Sequence, residues 1–86
     1  MTQKLSKNYK SKATQEYMRK RIEFTRELAE MTIRDLSKLS GYSISLLSKY
    51  RNGNIPIMPE TYRALMLVMN DRIKKLYHGE IPYGGC

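Results

Sequence analysis

With 86 residues, 16 Lys and Arg against 8 Asp and Glu, and a net charge of +8, the chain is one small basic domain. That length excludes a multidomain enzyme and any fold built on a large sheet with crossover helices. An apolar content of 41% supports a compact core and excludes wholesale disorder, and no apolar run approaches the ~20 residues of a membrane span.

Residues 1–13 are polar, lack sustained periodicity and carry Lys4, Lys7, Lys10 and Lys12 with no acid, which predicts a flexible basic arm. The arm has no signal-peptide core, and Cys86 as the single cysteine excludes an internal disulfide or a cysteine-built zinc site, so the expected location is cytoplasmic. From Thr14 the pattern turns helical. Tyr17, Phe24, Leu28 and Met31, with Ile22 beside them, recur at three- and four-residue steps and predict the buried face. Thr14 is the expected N-cap, with Glu16 in the first turn near the positive dipole end.

Thr32 reads as a second N-cap, with Asp35 in the capping-box position. Ile33, Leu36 and Leu39 give that helix its apolar spacing, and Gly41 breaks it with a left-handed residue. Ser43 opens a third short helix whose Leu47 and Tyr50 face inward, and Asn52-Gly53 ends it. Residues 54–58 form a loop: Pro56 and Pro59 forbid a continuous helix, while Pro59 suits the first turn of the next. In that next helix Tyr62, Leu65, Met66 and Met69 share one broad face. Asn70 or Asp71 then either caps a fifth short helix or is crossed by a continuous one. Residues 79–86, with Pro82, Gly84 and Gly85, are a loop tail, and no alternating run makes a strand. The expected fold is all-α: a compact four- to five-helix domain over residues 14–78, flanked by the arm and the tail.

The excess charge is concentrated. Residues 1–14 carry +4, and residues 32–53 carry +3 from Arg34, Lys38, Lys49 and Arg51 against Asp35. Concentrated positive charge is the footprint of a polyanion partner, because each neutralised phosphate releases condensed counterions.

Residues 32–53 also have the anatomy of a helix-turn-helix, two short helices joined by a tight turn centred on a glycine. Thr32, Leu36, Ser37, Gly41, Tyr42, Ser43, Leu47, Tyr50 and Gly53 fall into that register without a gap, and Arg26 stands ahead of it. On these residues the chain, over positions 18–69, resembles helix-turn-helix proteins of the Cro/C1-repressor type, the XRE family. The resemblance implies a second helix that braces the third, a third helix lying in the major groove of double-stranded DNA, and a small transcriptional regulator or repressor of the phage or mobile-element kind.

This sequence departs from the family pattern in three ways. Ile33 stands where the family often has a phosphate-contacting Gln. Arg51 stands where an acid often pairs with the basic residue of the first helix, so Arg26 and Arg51 repel unless Glu27 or Glu30 intervenes. The outward positions of the third helix are Ser43, Ile44, Ser45, Leu46, Ser48 and Lys49, which offer none of the Arg, Asn or Gln forks that match guanine and adenine edges. Two readings follow. In the first, Ser43, Ile44, Ser45, Ser48 and Lys49 meet DNA bases, Arg34, Lys38 and Arg51 grip phosphates, and the four arm lysines follow the backbone. In the second, Ile44 and Leu46 anchor a host protein or ribonucleoprotein, as in a phage-encoded inhibitor.

Other signals are plain. His78 reads as a helix-end residue, and the methionines as core packing. Tyr9 and Tyr83 are candidates to stack on bases. No nucleophile–base set, metal-ligand spacing or phosphate loop appears, so neither enzyme activity nor a metal or cofactor is expected. A homodimer is expected through Ile73, Leu76 and Tyr77, with Ile81 from the tail.

Overall fold

A computed structural model of the chain describes residues 9–78; among these residues there are four α-helices and no strand. They are α1 (Lys12–Leu28), α2 (Ile33–Ser40), α3 (Ile44–Asn52) and α4 (Pro59–Tyr77). The two long helices, α1 and α4, pack on each other; α2 packs on α4 and on α3, and α3 also touches α1. One core joins all of them, built on Met18 and Ile22 of α1, Met31, Leu36 of α2, Leu47 and Tyr50 of α3, Ile57, and Leu65 and Met69 of α4.

Local capping chemistry sets most of the boundaries. Thr32 and Asp35 form a complete capping box: each side chain accepts the other residue's backbone N–H, both at 3.0 Å. The Thr32 N–H holds the Asp35 carboxyl below its ordinary range, with Arg72 and Lys38 adding smaller attractions. A depressed carboxylate stabilises the fold above its unfolded-state pKa, and that contribution drains away as pH falls through the folded-state value. Thr32→Ala is expected to cost about 1 kcal/mol in urea unfolding at neutral pH. Part of that effect should be lost in acid, because the Thr32 side chain also stabilises the Asp35 carboxylate and protonation removes that share. Gly41 ends α2 at φ +85 and Gly53 ends α3 at φ +77, the left-handed region that other residues enter only with strain.

Four expectations are corrected. First, α1 begins at Lys12, because Ser11 rather than Thr14 caps it: the Ser11 hydroxyl oxygen accepts the Thr14 N–H at 3.2 Å. Lys12 therefore belongs to the helix, and Tyr9 and Lys10 form the turn before it. Second, α1 is rotated relative to the face predicted from its large apolar residues. Gln15, Met18, Ile22 and Thr25 are buried, as are Ala29 and Met31, whereas Tyr17, Phe24 and Leu28 are 53%, 57% and 42% exposed. The buried polar residue explains the rotation. The Gln15 amide nitrogen donates to the carbonyls of Tyr9 (2.6 Å) and Ile57 (2.9 Å), and its oxygen accepts the Ile57 N–H at 2.8 Å. Fully paired, that amide can be buried and fasten α1 to the loop before α4. Third, Leu39 is exposed, at the rim of a groove it shares with Val68, Asp71, Arg72 and Lys75. Fourth, Leu76 is buried within the chain and Ile73 is half-buried against the core, which removes the centre of the expected dimer surface; Tyr77 stays exposed. The choice left open for the last helix resolves to a single continuous α4. Asp71 pairs with Lys75 one turn on, at 3.3 Å, instead of capping a new helix.

Candidate nucleic-acid interface

A short turn, residues 41–43, carries the chain from α2 to α3 and is tied down at both ends. The Ser37 hydroxyl donates to the Tyr42 carbonyl at 2.7 Å, and the Tyr42 N–H donates to the Ser40 hydroxyl oxygen at 3.2 Å. Tyr42 itself packs half-buried against the core. Ser43 then caps α3 by accepting the Leu46 N–H at 3.1 Å, which leaves its hydroxyl hydrogen available to an acceptor outside.

Leu47 and Tyr50 anchor the inner side of α3, as expected. The opposite side turns Ile44, Ser45 and Lys49 outward, with Ser48 half-buried beside them; Ile44 is 41% exposed. Leu46 is a correction. It is half-buried against the core, because its position flanks Leu47 on the inward side, so it does not join Ile44 in an exposed apolar pair. All four cations of this stretch, Arg34, Lys38, Lys49 and Arg51, are exposed, and Arg34 and Lys38 stand one turn apart on α2.

The expected Arg26–Arg51 repulsion is relieved by Glu23, which pairs with both guanidinium groups. One Glu23 carboxylate oxygen pairs with Arg26 at 2.7 Å and the other with Arg51 at 3.7 Å. Arg26 also donates to the Met31 carbonyl at 2.8 Å, so it braces the bend between α1 and α2. The Arg51 pair is exposed and long, the kind worth at most about 1 kcal/mol, so a phosphate can compete for that guanidinium.

Two residues join this surface that sequence reasoning had not assigned to it. Asn52, read only as a helix terminator, is the exposed last residue of α3 and continues the line of Ser45, Ser48 and Lys49. Counting three and four residues on from Lys49 and Ser48 finds it. Arg19 of α1 lies against the end of α3, where a Cβ on Gly53 would meet its guanidinium at 3.4 Å. No sequence signal links those positions, which only the packing of α1 on α3 brings together.

Among the arm residues, Lys10 and Lys12 are exposed, and the Lys10 ammonium sits 5.8 Å from the centre of the Tyr9 ring. Tyr9 is half-buried against the core, so its ring is occupied rather than free to stack on a base. Lys4, Lys7, Ile81, Tyr83 and Cys86 lie outside the described residues. Among the described residues no cluster of His, Cys, Asp and Glu is placed to hold a metal ion, and no helix is long and apolar enough to cross a membrane. A cavity of about 20 Å³ behind α3, lined by Ile22, Leu36, Leu47 and Tyr50 among others, has room for roughly one water and is a packing void. No protein-family model, curated protein or solved structure matches the chain.

Proposed function

We propose that the chain binds double-stranded DNA through α3 and acts as a small helix-turn-helix regulator of transcription, by binding rather than by catalysis. The observation that carries this reading is the composition of one surface. The outward side of α3 presents Ser45, Ser48, Lys49 and Asn52; Arg51 on the same helix and Arg34 and Lys38 on the adjoining α2 are exposed cations. Asn52 supplies the amide fork that matches an adenine edge, Lys49 suits guanine, and Ile44 suits a thymine methyl. Arg34, Lys38 and Arg51 serve as phosphate contacts that fix register without reading sequence. The resemblance to repressor-type helix-turn-helix proteins supports the same reading.

The test is a gel shift with mixed genomic fragments at two salt concentrations, followed by footprinting of any retained fragment. A protected site whose affinity falls with salt supports the reading; uniform weak retention with no protected site overturns its sequence-specific part. Removing residues 1–8, which takes away Lys4 and Lys7 and leaves Tyr9 on the core and the Ser11 cap in place, is expected to weaken binding equally on all sequences. It should also lower the log–log salt slope by up to ~2 units if both touch phosphate. An unchanged slope would take the arm out of the contact.

One observation favours a second reading, in which α3 docks on a host protein or ribonucleoprotein. Ile44, at the start of the same helix, is a large apolar side chain left 41% exposed. With Leu46 turned toward the core, that reading keeps one anchor where it had two.

A further inference from the structure

The rotation of α1 leaves an apolar stripe uncovered. Tyr17, Phe24 and Leu28 are 53%, 57% and 42% exposed, and with Arg21, also exposed, they follow one another at steps of four, three and four residues. That spacing keeps a single line along a helix, the seam by which two helices pack side by side. Tyr17 and Arg21 flank the Tyr62 hydroxyl of α4, so α4 holds the start of the stripe in place. Phe24 and Leu28 lie away from the core, which Gln15, Met18, Ile22 and Thr25 fill from the other side.

The geometry points to a second copy of this chain as the occupant, with the two α1 helices antiparallel about a two-fold axis midway between Arg21 and Phe24. Charge complementarity selects both the partner and the direction. Antiparallel pairing sets each Tyr17 against the other copy's Leu28, and each Arg21 guanidinium over the other copy's Phe24 ring, a cation–π contact. Lys20 and Glu27 stand seven residues apart on the same outer flank of the stripe, and both are exposed. Antiparallel seams match each flank position with its own kind, so Lys20 meets Glu27 of the other copy twice over. A parallel pairing stacks Arg21 on Arg21 and repels itself. The contact is isologous, as a two-fold requires, and lies on a different side of α1 from Arg19 and Glu23, which face α3. The patch is small beside the ~1,200 Å² that stable dimers bury, so the dimer is a weak one, forming at micromolar or higher concentration.

Sedimentation equilibrium of the full chain from low micromolar to near-millimolar concentration tests this. The expected result is a monomer–dimer equilibrium that weakens with added salt. Phe24→Asp should weaken it by at least ~tenfold, since a central aromatic anchor is replaced by a charge. Lys20→Glu should weaken it too, and Lys20→Glu with Glu27→Lys should restore it. All of these residues are exposed, so dilute-solution melting temperatures should stay within a few degrees of the parent chain. In a Cys86→Ser background, Tyr17→Cys chains mixed with Leu28→Cys chains should cross-link to each other faster than either does alone. A monomer throughout the range overturns the proposal and leaves the stripe to a different partner. A dimer indifferent to Phe24→Asp, or one in which Tyr17→Cys links fastest to itself, overturns it as well.

Discussion

Replacing Gln15 by leucine is expected to lower the unfolding free energy by about 2–4 kcal/mol, a large share of the ~4–10 kcal/mol available to a domain of this size. The substitution looks conservative by hydrophobicity, since Gln15 is only 8% exposed and sits in line with Met18 and Ile22. Its effect runs through the partners left behind. Leucine fills the space but strands the buried N–H and carbonyl of Ile57 together with the carbonyl of Tyr9. Each unpaired buried backbone group costs ~1–3 kcal/mol, more than an apolar side chain gains by filling a site already close-packed. Urea denaturation measures the total, and hydrogen exchange at the Ile57 amide tests the cause. Loss of protection there with a matching fall in midpoint is the expected pair of results. A midpoint unchanged within about 0.5 kcal/mol would mean that the amide does not secure the loop.

The same residue marks the limit of what the sequence revealed about the fold. The caps at Thr32 and Ser43, the Pro59 start of α4 and the glycine stops at Gly41 and Gly53 rest on residues at most a few apart, and sequence spacing found each of these. The inward face of α3 was legible at its centre, where Leu47 and Tyr50 stand three apart, one turn of the same face. On α1 apolar periodicity points to the wrong face, because the large apolar residues fall on one flank and the true seam includes Gln15 and Thr25. Nothing near Gln15 in sequence announces that Ile57, 42 residues away, will satisfy its amide. Glu23 between Arg26 and Arg51, and Arg19 against Gly53, were missed on the same ground: each depends on which face α1 turns toward α3. For the candidate interface, the exposed cations of α2 and α3 were legible from composition. The split between an exposed Ile44 and a half-buried Leu46 needed the helix phase to within a fraction of a turn.

On the proposed reading, substitutions along α3 should separate base contacts from docking contacts. Lys49→Ala and Asn52→Ala are each expected to reduce specific DNA affinity by ~1–3 kcal/mol, about 5- to 150-fold, and to relax preference at one base pair each. Both side chains are exposed at the outer side of α3, so neither change should lower the melting temperature appreciably. Ile44→Ala should cost less, since a single methyl contact is the most it can make with a thymine. Arg34→Ala or Lys38→Ala should instead weaken binding on every sequence alike and flatten the salt dependence by about one unit each. If α3 docks on a protein, the order inverts. Ile44→Ala then removes the central anchor, and Lys49→Ala chiefly slows association in a way that salt abolishes. Leu46 serves as the internal control. It is half-buried against the core, so Leu46→Ala should destabilise the fold by about 1–3 kcal/mol under either reading. A loss of binding there without a loss of stability would show that Leu46 reaches outward, and would shift the balance toward the docking surface. Fluorescence anisotropy on a footprinted site, paired with thermal melts of each variant, measures both quantities on the same samples. Loss of specific affinity in Lys49→Ala and Asn52→Ala with melting temperatures intact is the outcome that supports DNA reading; full affinity in both would rule α3 out as the reader.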